Sequence, residues 1–215
     1  MNPAEILAGL KDSNPQKCYR MLKRLVSQGY HQEDAAVLKT LIRTCKKAKP
    51  VYNRLEAMRA LRPFWKNEDA RNAILSRLKD ETFIINPCLE IIGSIADQHA
   101  LEALLDFYQK SAKPQTKCQV LRSLSKASLT DVFQFLRITK AHESPDESLR
   151  STVVALLGER KDPTLKKMFM QALGDKNSRV RANAVEALEQ LLPKKELAKV
   201  MAYCCLLYTS PSPRD

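Results

Sequence analysis

Six cysteines (Cys18, Cys45, Cys88, Cys118, Cys204, Cys205) and three histidines (His31, His99, His142) are the side chains that could bind a transition metal or act as nucleophile and base. A zinc site needs thiolates or imidazoles at short, paired spacings such as C-x2-C. The sequence contains no such pair, and its histidines stand isolated. It also lacks a Ser/His/Asp arrangement for acyl transfer and a glycine-rich loop for phosphates. The carboxylates fall mainly on polar helix faces or at helix starts, where the macrodipole favours them. The reading is therefore no enzyme, no cofactor and no metal. Cys18, Cys45, Cys88 and Cys118 sit among helix-forming residues, several on apolar faces, as buried thiols of a reducing cytoplasm do.

Charge is the more informative chemistry. The net charge is +12, and residues 1–50 hold ten Lys and Arg against four Asp and Glu, half of the whole excess. Lys17, Arg20, Lys23 and Arg24 share one polar face of a predicted helix. Arg43, Lys46 and Lys47 gather at the end of the next, where cations oppose the negative helix terminus. These seven are the candidate partner-binding residues. Such a bias suits an acidic protein or a nucleic acid, and also a basic, well-solvated surface. Trp65, the only tryptophan, stands in LRPFWKNED and is expected to plug a seam between helices with Phe64. Arg150 and Arg181 are expected to bond carboxylates or loop carbonyls within the chain.

The elements that position these residues are helical. The chain has 215 residues, 44% of them hydrophobic and 28% charged, with five glycines and scarce β-branched or aromatic runs. That composition excludes wholesale disorder, a β-sandwich and a dinucleotide-binding fold. No apolar stretch approaches the ~18 residues of a membrane span. MNPAEILAGLKDSN has neither the basic start nor the apolar run of a signal peptide.

Proline punctuates the helices, because its missing N–H costs nothing at a first helical position. Asn2-Pro3, Asn14-Pro15, Asn86-Pro87, Ser144-Pro145 and Asp162-Pro163 each pair it with a capping side chain. Gly29 reads as a C-terminal stop. Second helices are expected over 32–48, 68–79, 99–111, 130–140 and 163–173.

Pro15, Pro50, Pro87, Pro114 and Pro145 recur at roughly thirty-residue intervals, the period of helical-repeat arrays. Leu25, Leu61, Ile95, Leu124 and Leu156 follow at similar offsets, and a sixth copy ends at Leu188. EAMRAL (56–61), CQVLRSL (118–124), STVVALL (151–157) and ANAVEAL (182–188) occupy equivalent places. Each hairpin must bury its apolar face against the next.

LGDKNSRVRANAVEALEQL (173–191) resembles the HEAT repeat, especially its bacterial HEAT-like form. Asp175 precedes the second helix, Val180 and Arg181 fill its first turn, and Ala184, Ala187 and Leu188 line its packed face. DESLRSTVVALLG (146–158) matches more weakly, with Leu149-Arg150 in the place of Val180-Arg181. The resemblance implies an all-α fold, a right-handed α-solenoid of about six HEAT-like hairpins whose concave face is lined by second helices.

It also implies a non-catalytic scaffold, binding a protein, possibly acidic, through that concave face. Two alternatives share the resemblance: a nucleic-acid binder like the HEAT-like alkylpurine DNA glycosylases, and a chaperone like the phycobilin lyases. No membrane partner is expected.

The last eleven residues, CLLYTSPSPRD (205–215), resemble a translated sequencing adapter at every position. Two prolines and no apolar period predict disorder there. The repeat array is accordingly placed at 1–204, and the natural chain is expected to continue past Tyr203.

Overall fold

The computed structural model describes residues 1–200, and all of its regular elements are helices. The expectations for Cys204, Cys205 and the adapter-like 205–215 lie outside the described residues. The chain divides into two units, Met1–Leu104 and Leu105–Asp215.

In the first unit α1 (Pro3–Leu10), α3 (Ala35–Lys47) and α5 (Glu68–Leu75) alternate with α2 (Pro15–Ser27), α4 (Val51–Leu61) and α6 (Thr82–Ile95). α3 packs on α1 and α5, and α4 packs on α2 and α6, so the helices form two layers, with α3 also against α4. In the register that makes Ser178–Glu189 a second helix, α2, α4 and α6 are the second helices and α1, α3 and α5 the first, so the stretches expected as second helices at 32–48 and 68–79 are corrected to first helices. Their shared interior holds Leu22, Leu25, Leu41, Met58, Leu61, Ile74 and Ile92, none more than 1% exposed. α7 (Gln98–Lys110) crosses the division between the units. The second unit repeats the hairpin with α8 (Pro114–Ser123), α9 (Leu129–Thr139), α10 (Glu147–Gly158), α11 (Lys166–Ala172) and α12 (Ser178–Glu189). α10 packs between α8 and α12, and a further helical stretch starts at residue 194.

The helix starts follow from side chains that satisfy orphan N–H groups. Asn2 and Asn14 accept from Ala4 and Gln16, with Pro3 and Pro15 at the first helical position as expected. Two expected starts are corrected. Pro87 lies inside α6, which begins at Thr82, so the Phe83 carbonyl lacks its i+4 donor. Pro145 precedes the cap of α10, which is Asp146, accepting from Ser148 and Leu149.

α2 stops as its glycine requires. Tyr30 N–H donates to Leu25 O (3.0 Å) and Gly29 N–H to Val26 O (3.2 Å), a Schellman closure with Gly29 at φ +59°. A Cβ built on Gly29 meets nothing within 4 Å, so only the backbone resists a side chain there. Gly29→Ala should therefore cost about 1–2 kcal/mol, the left-handed penalty alone. Gly29→Asn should cost less, and urea unfolding of the two variants checks the order.

Close approach matters at Gly158, where a Cβ would stand 3.0 Å from the Ala187 Cβ. The expected core leucines Leu25, Leu61, Leu124, Leu156 and Leu188 are all buried, as is Ala187. Ile95 is only half-buried. Trp65 and Phe64 are buried as expected, and Trp65 Nε1 donates to Asp97 Oδ2 at 2.8 Å.

Candidate interaction surfaces

The turns inside successive hairpins are bound by a repeated arginine. Arg150, in the first turn of α10, donates to the carbonyls of Ser144 (2.7 Å) and Pro145 (3.0 Å). Its other nitrogens grip both oxygens of Asp175 at 2.8 and 2.9 Å, in the next repeat's turn. Arg54, in the first turn of α4, does the same: it donates to the carbonyls of Ala48 and Lys49 and holds both oxygens of Asp80. Arg181 donates to the carbonyls of Asp175 and Lys176. Arg150 and Arg181 thus serve the chain itself, and Asp175 is an inter-repeat anchor.

The cap of α12 is Asn177, whose own N–H donates to Asp175 Oδ1. Hydrogen bonds from Arg150 hold the Asp175 carboxyl below its ordinary value against the opposing pull of burial. At Asp80 burial pushes upward, and the Glu81 N–H with Arg54 and Arg77 outweighs it.

Arg54 was missed in the sequence, although a signal existed. Arg54, Arg150 and Arg181 each stand seven residues before a leucine, Leu61, Leu157 or Leu188. This register replaces Leu156 by Leu157 as the equivalent position. Both are buried, so hydrophobicity did not separate them.

The seven candidate cations do not converge. Lys17 pairs with Asp12 at 3.3 Å and Arg24 with Glu5 at 2.6 Å. Arg20 and Lys23 remain exposed on α2. Arg43, Lys46 and Lys47 belong to α3, in the other layer.

Lys46 and Lys47 do border a cleft of about 470 Å³ with Lys49, Arg54, Arg77, Lys79 and Asp80. A second cleft of about 450 Å³ lies on the second-helix layer. Leu25, Val26, Tyr30, Ala60, Pro63 and Ile91 give it apolar walls, and Arg59, Arg62 and Glu90 are its charged groups.

The four cysteines among the described residues offer no reactive thiolate. Cys18, Cys45, Cys88 and Cys118 are free and buried, and burial pushes Cys45 up to about 12 and Cys88 upward as well. Among the described residues no group of three or more His, Cys, Asp or Glu could hold a metal ion, and no helix is long and apolar enough to cross a membrane.

With this geometry in view, residues 136–204 match the family of HEAT repeats. No curated protein matches the chain. Among solved structures the chain is similar to TOG3 of Drosophila melanogaster Mini spindles, at 17% identity and TM-score 0.54, covering 90% of this chain and 96% of that one. It is also similar to an archaeal HEAT-like repeats protein from Thermococcus onnurineus NA1, at 14% identity and TM-score 0.50, covering 99% and 92%. At these identities the likeness is one of fold: an all-helical, solenoid-type repeat.

Proposed function

We propose that this chain, a carrier of HEAT repeats over residues 136–204, is a non-catalytic scaffold that binds a protein on the face of its second helices. The observation that carries the reading is the open apolar cleft contributed by α2, α4 and α6, three second helices in succession. An apolar centre with charged groups beside it is the anatomy of a protein-binding patch. Repeat arrays present such surfaces because each unit contacts only its neighbours, leaving one long face free. In the HEAT resemblance, second helices are the ones expected to line a concave face. The buried free thiols suit the cytoplasm, where thiols stay reduced.

Val26 is the test position, because it lines the cleft and is 36% exposed. Val26→Glu should leave stability within about 0.5 kcal/mol, as surface changes do. It should also abolish recovery of partners that the unaltered protein captures from a lysate of its source. Equal recovery by both proteins, with matching thermal melts, would remove the second-helix face from the account.

A further inference from the structure

The lysine-lined cleft between the α3–α4 and α5–α6 turns stands apart from the second-helix face. Its two arginines are occupied. Arg54 is spent on Asp80, Glu81 and two turn carbonyls, and Arg77 on Asp80 and Ser76. These bonds lock the turns together, and the arginine side chains are only 13% exposed. The lysines differ. Lys46, Lys47, Lys49 and Lys79 are all exposed, and none forms a hydrogen bond or ion pair with its side chain among the described residues.

Four ammonium groups thus surround a rigid floor, where their mutual repulsion favours an incoming anion. One helix leaving the cleft reinforces this. α4 begins at Val51 without a side-chain cap, which leaves its positive end facing the turn, whereas Asp80 and Glu81 stand at the start of α6.

We propose that this cleft binds an acidic polypeptide segment, its carboxylates met by Lys46, Lys47, Lys49 and Lys79. Binding duplex nucleic acid needs a track of phosphate contacts, commonly about 6–10. Exposed Lys39 and Arg43 carry positive charge further along α3, but Lys17 and Arg24 on α2 are already paired, and Arg20 and Lys23 lie in the other layer. Glu81, whose side chain is 64% exposed, adds a negative charge beside the cleft that opposes a continuous polyanion. A short peptide can place a neutral residue there. The proposal rests on the scaffold reading in taking a protein as partner, and it adds a surface separate from the Val26 cleft.

Fluorescence anisotropy on the full chain tests it with a labelled peptide alternating Glu and Ser, its Gln counterpart, and a labelled single-stranded oligodeoxynucleotide. Inorganic phosphate serves as competitor. The Glu peptide should bind at low salt and release as salt rises, and the Gln peptide should not bind. Replacing all four lysines by Ala should weaken the Glu peptide at least about tenfold, whereas Arg20→Ala with Lys23→Ala should change it by less than about twofold. Lys46→Gln with Lys79→Gln, a milder pair, should give an intermediate loss if the quadruple variant fails to fold.

Absence of Glu-peptide binding overturns the proposal, and so does equal weakening by the Arg20 and Lys23 control. Tighter binding of the oligonucleotide with the same lysine dependence overturns it in favour of nucleic acid. Displacement by inorganic phosphate at an ionic strength where added chloride does not displace the peptide overturns it in favour of a general anion site. None of these outcomes touches the Val26→Glu result, so the two readings fail separately.

Discussion

Phe169→Ala should be the most damaging single truncation, costing about 3–5 kcal/mol. Phe169 is the largest fully buried side chain among the described residues and the buried anchor of α11, a seven-residue helix that packs on α12. A helix that short has little intrinsic stability, so its place depends on what it buries. Removing the ring loses its transfer free energy and leaves a cavity, because neighbours in a close-packed interior relax only in part. Phe169→Leu keeps most of the volume and should cost less than about 1.5 kcal/mol. Urea unfolding followed by circular dichroism separates the two. Equal small losses would mean that the α11–α12 packing does not depend on this residue.

Breaking the arginine link between repeats should come next. Asp175→Ala strips Arg150 of its carboxylate, and a guanidinium only 10% exposed is left with carbonyls alone. Breaking buried pairs costs about 3–5 kcal/mol, and the 15% exposure of Asp175 places this one near the lower end. The double change Arg150→Met with Asp175→Leu removes both charges and should cost less than Asp175→Ala alone, its remaining cost being the Ser144 and Pro145 carbonyls and the Asn177 N–H left without these partners.

The sign of the pH effect follows from the depressed Asp175 pKa. The pair contributes fully above about pH 5. Its contribution is lost as pH falls below the ordinary value of 3.8 and through the folded-state value. The stability gap between the parent and Asp175→Ala should therefore close from pH 5 toward pH 2. A gap that stayed constant would deny the ion pair its role.

Helices were legible in the sequence where the signals are local. Asn2-Pro3 and Asn14-Pro15 begin helices because cap and proline act within one turn, and Gly29 ends one for the same reason. Pro87 misled because its role depends on context: Thr82 to Asn86 already commit the chain to helix before the proline arrives. The candidate site was less legible because its bonds are long-range. Glu5 lies 19 residues before Arg24, and Asp80 lies 26 beyond Arg54. Neither partner follows from helical periodicity. A count of positive charge could locate Lys46 and Lys47, but could not show that Lys79 joins them from the next hairpin.

The scaffold reading is tested most directly by amide hydrogen exchange on the full chain, free and saturated with a protein partner captured by it. Slower exchange on binding should appear at residues 25–30, 59–63 and 90–94, the segments around the apolar cleft. Protection that bypasses these segments, or turnover of a small substrate by the partner-free protein, would contradict the account.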